Sequence, residues 1–436
     1  MKISRRKALM SALFGAGYVG LRSLATGLPV AALLPGSRKA FAEGTCIDPA
    51  KAQFIIFSTS GQGDPINANA PGTYGVPGIV HCPDPAMAAA AMTIGGKSVQ
   101  AAKPWTTLDP TVLQRTSFWH IMTNTPVHPK EPEVLRLQNS TQYNEMLPSL
   151  LAQQLAPCLG TVQSQPITIG ARTPSEGLSF QGQTLPIIPP TALAATLTAP
   201  SGPLANLTKL RDQTLSQLDG LYRATASSAQ KKYLDSLINS QSEVRNINQD
   251  LLSMLSAITD DQIDSQITAA IALVKMKVTP VVAIHIPFGG DNHNDNGLVT
   301  ESAQTQSGVA NINSLMAALA SNQLSDSVTF MTLNVFGRTL ASKGTKGRDH
   351  NENHHVSVVI GKGFKSSLIG GVGPVAKDFG ALAIDSTTGK GGTGGDISPL
   401  DSLSSYGKTM LAAVGADSAF IDQAVFGGKV VPAALS

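Results

Sequence analysis

Two pairs of acids and histidines are the residues of this sequence best suited to chemistry. Asp291 and His293 form an Asp-x-His pair, and Asp349 is followed directly by His350. In an extended segment the two side chains of an Asp-x-His pair face the same way. Carboxylate oxygens and imidazole nitrogens are the usual ligands of zinc and of harder divalent ions. The pairs predict a site for a divalent metal ion, either zinc, calcium or magnesium, and a solvated loop rich in Asn, Asp and His is the alternative.

Three further residues stand at the ends of apolar stretches. Asp64 lies in a Gly- and Asn-rich loop after the apolar stretch 52–58, and we count it with the metal ligands. His128 follows the apolar stretch 116–124 and is a candidate catalytic residue, whereas His120 lies inside that stretch and is predicted to be a core or interface histidine. Arg338 follows the apolar stretch 328–336, and its guanidinium could hold a phosphate, sulfate or carboxylate group through two hydrogen bonds. A structural salt bridge is the alternative for Arg338.

The elements that must position these residues are strands that are each followed by a polar loop. Apolar, β-branched stretches predict strands at 52–58, 116–124, 281–288, 328–336 and 356–364, and apolar residues at helical spacing predict helices at 136–156, 301–322 and 402–414. Ligands of open α/β sheets bind at the carboxyl ends of strands. We therefore expect Asp64, Asp291, His293, Asp349 and His350 to gather along one edge of one sheet.

A different pattern occupies residues 204–274. Leucines and other apolar residues recur there at steps of three and four, which is typical of long amphipathic helices. We interpret the segment as a helical insertion packed on the sheet. A coiled-coil dimer is the rival interpretation, but the pattern breaks at Gly220 and at the following SSAQKK stretch, which favours a helical hairpin.

The first 42 residues have the features of an export signal. Arg5 and Arg6 precede an apolar stretch, and Ala40-Phe41-Ala42 is a small-x-small cleavage site. This pattern resembles a bacterial twin-arginine signal, so we expect the twin-arginine export machinery as a partner, cleavage after Ala42, and a periplasmic or secreted protein. An uncleaved membrane anchor is the alternative, but Arg22 interrupts the apolar stretch before it reaches the ~20 residues that a span needs.

Export also changes the charge balance and the expected state of the cysteines. Seven of the 32 Lys and Arg residues lie in the first 42 positions, which contain no acid, leaving 25 basic against 29 acidic residues. This mildly acidic mature chain gives no support to nucleic-acid binding. An oxidising compartment permits one disulfide among the three cysteines, and we expect the pair Cys46–Cys82 with Cys158 free.

The motifs together resemble an exported bacterial family, the domain of unknown function 1501 family, which is related to the alkaline phosphatase and sulfatase superfamily. The family's GWDTH, SEFGR and Gly-x-Asp-His segments stand here as GGDNH (289–293), NVFGR (334–338) and GRDH (347–350), and its Gly-rich Asp loop stands as GQGDPIN (61–67). The resemblance implies an alkaline-phosphatase-like fold: one α/β domain over 43–436 with a mainly parallel sheet and helices on both faces.

The resemblance also implies a function with two readings. One is a metal-dependent hydrolase of a small or polymeric phosphate or sulfate ester, with Arg338 holding the anion. The other is a catalytically degenerate binding or assembly protein of the same fold. The second reading rests on departures from the family pattern, because Val335 stands where the family has a glutamate and no nucleophile can be assigned.

Overall fold

The computed structural model describes residues 46–161, 163–170, 177–197, 217, 231 and 249–436. The predicted signal peptide and most of the predicted helical insertion lie outside these residues. The strands of the described part are β1 (Phe54–Ser60), β2 (Ala89–Ile94), β3 (Lys97–Ala102), β4 (Thr116–Ile121), β5 (Ile167–Ile169), β6 (Ser179–Phe180), β7 (Gln183–Thr184), β8 (Ile187–Ile188), β9 (Val281–Ile284), β10 (Val328–Asn334), β11 (Gly337–Arg338), β12 (His350–Asn351), β13 (His355–Ile360), β14 (Ser367–Ile369), β15 (Val372–Val375) and β16 (Asp378–Ala381).

Eight of these strands form one central sheet in the order β14-β4-β13-β10-β1-β9-β5-β8. Strands β8, β5, β9, β1 and β10 are parallel to one another, and β14 is parallel to β4. Within this sheet β13 runs against both of its neighbours, β10 and β4. The other strands form two-stranded pairs, of which β11 with β12 bears on the site.

The helices of the described residues are α1 (Ile66–Asn69), α2 (Pro110–Leu113), α3 (Glu131–Leu135), α4 (Leu147–Leu159), α5 (Pro190–Leu197), α6 (Gln249–Ser256), α7 (Ile263–Lys275), α8 (Val299–Ser321), α9 (Ser402–Ala413) and α10 (Ser418–Ala424). Local sequence explains several of their ends. Helix α8 begins where the Asp295 carboxylate accepts hydrogen bonds from the backbone N–H groups of Thr300 and Glu301. Helix α4 has Pro148 in its first turn and ends at Gly160, whose φ of +62° is left-handed.

The strands bury both of their faces, and each face meets a different set of helices. In β1, Ile56 belongs to the apolar cluster that contains residues of α7 and α8. Its neighbours Ile55 and Phe57 belong to the cluster that contains residues of α4 and α9. Successive side chains of a strand point to opposite faces, so one continuous apolar stretch supplies two cores. The predicted fold class, a mainly parallel α/β sheet with helices on both faces, is confirmed.

Two expectations about local structure are wrong. Residues 136–156 do not form one helix, because Leu137, Gln138 and Asn139 take positive φ angles between α3 and α4. The disulfide joins Cys46 to Cys158, and Cys82 is a buried free thiol.

The physical reason for the second error is tertiary placement. Cys158, at the end of α4, lies 4.7 Å from Cys46 between Cα atoms. Cys82 instead contacts the carbonyl of Leu298 at the start of α8, 3.3 Å from its Sγ. Spacing along the chain carries no information about either placement.

The two described helices of the predicted insertion are α6 and α7. Leu251 and Leu255 of α6, and Ile267 and Leu273 of α7, are buried in the same apolar cluster as the sheet. None of the helices in the described ranges is both long and apolar enough to cross a bilayer.

Candidate metal centre

The candidate site is a group of three imidazoles and one carboxylate at the carboxyl edge of the sheet. His128 follows β4, Asp291 and His293 follow β9, and His350 lies in β12. One ligand atom from each of the four residues lies within 4.8 Å of the other three. Four residues from three segments of the chain therefore converge within the space of one metal ion.

His293 contacts two other members of the group. Its Nε2 is 3.1 Å from Asp291 Oδ1 and 2.8 Å from His350 Nε2. His128 contacts the same carboxylate, with Nε2 3.6 Å from Asp291 Oδ2. The Asp291 side chain is 41% exposed, so the group opens to solvent on one side.

The other nitrogen of each ring fixes its tautomer. His128 Nδ1 is 2.7 Å from the Gly61 carbonyl oxygen, and His350 Nδ1 is 2.5 Å from the Pro126 carbonyl oxygen. His293 Nδ1 is 3.1 Å from Asp349 Oδ1. Because these oxygens only accept hydrogen bonds, each Nδ1 carries a proton, and the neutral form of each ring presents a lone pair at Nε2.

In these neutral forms the three Nε2 atoms offer lone pairs to the centre of the site. His293 Nε2 and His350 Nε2, 2.8 Å apart, would both be acceptors and would repel each other. A cation at the centre removes this repulsion, and the Asp291 carboxylate adds a negative charge beside it. Rings held by an oxygen at Nδ1 and free at Nε2 are the usual form of metal-binding histidines. The residues present fit a divalent ion.

Electrostatics favour the protonation states that a metal needs. Burial raises the pKa of Asp291, but other groups, above all the charge and hydrogen bond of Arg338, lower it overall. The hydrogen bond from Lys343 is the main cause that lowers the pKa of Asp349. Burial also lowers the pKa of His350, so the ring is held neutral. Metal ligands must be deprotonated, and these shifts act in that direction.

Close backbone approach holds the loops that carry the ligands. Gly347 has a φ of +109°, and a Cβ there would lie 2.3 Å from the carbonyl oxygen of His293. The next residue, Arg348, donates its backbone N–H to the Asn292 carbonyl at 3.1 Å. The GRDH segment can therefore lie directly against the GGDNH segment because its first residue is glycine.

The structure brings together some of the predicted metal ligands and not others. Asp291, His293 and His350 belong to the group of four. Asp349 lies next to it and contacts His293 through Nδ1 only. Asp64 is buried, and its Oδ1 accepts from the backbone N–H groups of Phe288 at 3.1 Å and Gly290 at 2.7 Å. Asp64 therefore shapes the loop that carries Asp291 but is not in the group.

The two predicted catalytic residues are also placed differently from the expectation. His128 lies in the ligand group itself. Arg338 is fully buried, and its Nη2 contacts Asp291 Oδ1 at 3.0 Å. A guanidinium without exposed surface is poorly placed to meet an incoming anion.

Sequence reasoning missed two contributors. Lys343, part of the polar stretch before Asp349, contacts Asp349 Oδ1 at 2.7 Å and is partly exposed beside the ligands. Phe336, inside the Phe-Gly-Arg motif, stacks on the ring of His350 with 4.3 Å between ring centroids. The abundance of lysine in KGTKGRDH was a signal for the first, whereas an aromatic residue at a strand end gave none for the second.

Comparison with solved structures gives distant similarities. The chain is similar to the lipoteichoic acid synthase LtaP from Listeria monocytogenes, with a TM-score of 0.35 and 8% identity over 95% of this chain and 81% of that chain. It is similar to BT4656 in complex with its substrate D-glucosamine-2-N,6-O-disulfate, with a TM-score of 0.32 and 12% identity over 87% and 79% of the two chains. No curated protein sequence matches the chain.

A family model matches the middle of the chain. The matched residues, 190–379, include the GGDNH, NVFGR and GRDH segments and thus Asp291, His293 and His350, while His128 lies before them. The recognition made from these motifs is confirmed, since residues 190–379 match the model of the family described as "Protein of unknown function (DUF1501)".

Proposed function

We propose that this protein holds one divalent metal ion through His128, Asp291, His293 and His350 and hydrolyses a phosphate or sulfate ester there. The observation that carries the proposal is the convergence of one ring nitrogen from each of three imidazoles and one carboxylate oxygen within 4.8 Å. The resemblance of the motifs to a family related to the alkaline phosphatases and sulfatases supports the reaction class.

The donor atoms of the four residues narrow the choice of metal ion. Three nitrogen donors and one oxygen donor suit zinc and neighbouring transition metals. Calcium and magnesium take oxygen ligands, so the nitrogen-rich set disfavours both. Zinc is the ion that we propose.

An ion held by these four residues would supply a Lewis acid for the ester oxygen. The chain's own residues have separate tasks. Asp349 orients His293 by accepting a hydrogen bond from its Nδ1–H group at 3.1 Å. Lys343 is the exposed cation of the site, and its side chain, 37% exposed, can meet an anionic group from solvent. Arg338 keeps Asp291 ionised from the buried side.

A degenerate binding or assembly protein is the second candidate, and two observations favour it. Val335, which stands where the family has a glutamate, is fully buried in the apolar cluster of the sheet. The Ser60 hydroxyl at the end of β1 is buried and accepts a hydrogen bond from the Gln62 backbone at 3.1 Å. It is therefore badly placed to act as a nucleophile.

Metal analysis and turnover distinguish the two candidates. Purified folded protein should contain about one zinc per chain, and a chelator should remove the zinc and lower the melting temperature. Zinc-loaded protein should cleave an aryl phosphate or an aryl sulfate, and His293→Ala should abolish binding and cleavage.

A surface variant provides the control for this experiment. Asp326→Asn alters an exposed acid that pairs with Arg115 and should leave both properties unchanged. Stoichiometric zinc without turnover would favour the binding protein, and absence of any bound metal would overturn the proposed hydrolase.

Export to the periplasm or beyond remains part of the proposal. A disulfide between Cys46 and Cys158 is consistent with an oxidising compartment. Mass spectrometry of exported material should find a chain that begins at Glu43, and replacing Arg5 and Arg6 by lysine should retain the precursor in the cytoplasm. Exported protein that still begins at Met1 would contradict the cleavage.

A further inference from the structure

We infer that Phe336, Gly337 and Arg338 form a rigid support behind the metal centre and set its geometry as positioning residues. The inference rests on the proposed metal site but not on turnover. It assigns to the Phe-Gly-Arg motif a task other than holding a substrate anion. We call these three residues the support segment.

Arg338 joins two loops of the site from the buried side. Its Nε donates to the Gly63 carbonyl at 2.5 Å, and its Nη2 donates to the Gln62 carbonyl at 2.5 Å. The same Nη2 donates to Asp291 Oδ1 at 3.0 Å. A planar guanidinium donates in fixed directions, so the loop after β1 and the carboxylate ligand are held in one relative position.

The backbone of Arg338 is fixed as firmly as its side chain. Asn67 of α1 accepts from Arg338 N through Oδ1 at 2.8 Å and donates from Nδ2 to Arg338 O at 2.7 Å. Both residues are fully buried. A Cβ on Gly337 would lie 2.0 Å from the His354 carbonyl oxygen and 2.8 Å from Asn67 Cγ, so this close approach requires glycine.

Phe336 supports two of the three imidazoles. Its ring stacks on His350 with centroids 4.3 Å apart and an interplanar angle of 27°. It meets the His128 ring edge-on, with centroids 4.9 Å apart. The ring occupies the space of a missing side chain, since a Cβ on Gly63 would lie 2.0 Å from Phe336 Cε2. The planes of both imidazoles are therefore limited by one aromatic ring.

The support segment thus reaches three of the four ligands. Arg338 contacts Asp291, and Phe336 contacts His128 and His350, while Asp349 holds the fourth ligand, His293. None of the three support residues offers a carboxylate, imidazole or thiolate to the ion. Changing the support should consequently alter coordination geometry and affinity while leaving all four ligands in place.

Cobalt substitution measures this directly, because the visible absorption of bound Co²⁺ reports coordination geometry. The chain offers a matched pair of variants, Phe336→Leu and Phe330→Leu. Phe330 is equally buried but belongs to the cluster on the α7 and α8 side of the sheet. Zinc affinity, from competition with a chromophoric chelator, should fall by about 10- to 100-fold in Phe336→Leu. The Co²⁺ spectrum should change as well, and Phe330→Leu should keep the wild-type affinity and spectrum.

Arg338→Lys is the second variant, since it keeps the charge and loses the forked donor. We expect the same loss of zinc affinity and an altered Co²⁺ spectrum. A cooperative melting transition of the metal-free variant is the control for correct folding. Phe336→Met replaces Phe336→Leu if the leucine variant does not fold, with Phe330→Met as its control.

The outcomes separate the inference from the proposed function. If the wild type binds zinc and both support variants match Phe330→Leu in affinity and spectrum, the inference is overturned and the metal site stands. If the wild type binds neither zinc nor cobalt, the proposed function fails and the inference fails with it.

Discussion

At the scale of single residues, the candidate site is defined by hydrogen bonds that point away from it. Each imidazole donates a hydrogen bond from Nδ1–H to an oxygen outside the group, which leaves Nε2 to face the centre. Two of these oxygens belong to the backbone, and the third is the Asp349 carboxylate. Only the contact to His293 can therefore be tuned by a conservative change of side chain.

Asp349→Asn should weaken zinc binding by about tenfold, because a neutral amide oxygen makes His293 a poorer donor to the metal than a carboxylate does. Competition with a chelator measures the affinity, and Asp326→Asn provides the matched control, since its carboxylate is exposed and pairs with Arg115. Equal affinities in Asp349→Asn and wild type would show that the contact is incidental.

Val335→Glu tests whether the family's missing carboxylate could restore a ligand. Val335 is fully buried among apolar side chains, so a glutamate there should cost about 3 kcal/mol of unfolding free energy and should not tighten zinc binding. Urea denaturation of the metal-free protein measures the loss. Val127→Glu, at a position 43% exposed, should cost little. Tighter zinc binding with unchanged stability in Val335→Glu would place residue 335 at the site.

At the scale of elements, pairing of β4 with β13 creates a buried polar chain beside the site. His120 of β4 contacts the Pro71 carbonyl through Nε2 at 2.9 Å and His354 Nε2 through Nδ1 at 2.9 Å. His354 Nδ1 in turn lies 3.4 Å from Asn67 Nδ2. Each ring of this chain has one donor and one acceptor assigned, so both rings must be neutral. The prediction that His120 is a core histidine is confirmed.

This buried chain predicts that the protein loses stability in mild acid. Burial lowers the pKa of His120 in this chain to about 4, and that of His355, a separate fully buried ring on β13, to about 3. As the pH falls, the unfolded chain, with an ordinary histidine pKa near 6.5, therefore binds protons that the native state does not bind. The contribution of the neutral rings to the free energy of unfolding is complete above about pH 6.5 and is lost as the pH falls toward about 4. Between pH 7 and pH 5, His120 alone should lower the free energy of unfolding by ~2 kcal/mol.

Urea unfolding of metal-free protein between pH 7 and pH 5 measures this slope. His120→Gln removes one titrating ring and should have a smaller slope than the wild type. A free energy of unfolding that does not change over this interval would contradict the assignment of neutral buried rings.

At the scale of the whole molecule, one sheet gathers segments that are distant in sequence. Strand β1 lies between β9 and β10, although more than 200 residues separate it from either strand along the chain. The disulfide adds a further long-range link, because Cys46 and Cys158 are 112 residues apart. It ties the segment before β1 to the end of α4.

Reduction of this disulfide should lower the free energy of unfolding by about 4 kcal/mol, since a link over about 100 residues removes much chain entropy from the unfolded state. Chemical denaturation with and without dithiothreitol measures the effect. The double variant Cys46→Ser/Cys158→Ser should already have the lower stability and should not respond to the reductant. A response in the double variant would assign the effect to another group.

The sequence by itself determined the elements and the edge of the sheet at which chemistry gathers. The predicted strands at 52–58, 116–124, 281–288, 328–336 and 356–364 correspond to β1, β4, β9, β10 and β13, because continuous apolar stretches bounded by polar loops leave few other conformations. Asp291, His293 and His350 could be selected because they follow such stretches, and parallel strands bring their carboxyl ends to one edge.

Only the tertiary structure decided which side chains meet at that edge and which partner each receives. His128 enters the ligand group because β4 is placed two strands from β10, whereas Asp64 is drawn away by the backbone N–H groups of Phe288 and Gly290. The burial of Arg338 and the pairing of Cys46 with Cys158 are decided in the same way. The reason is physical: local sequence fixes the conformation of a segment, while contacts between distant loops depend on the order and direction of strands.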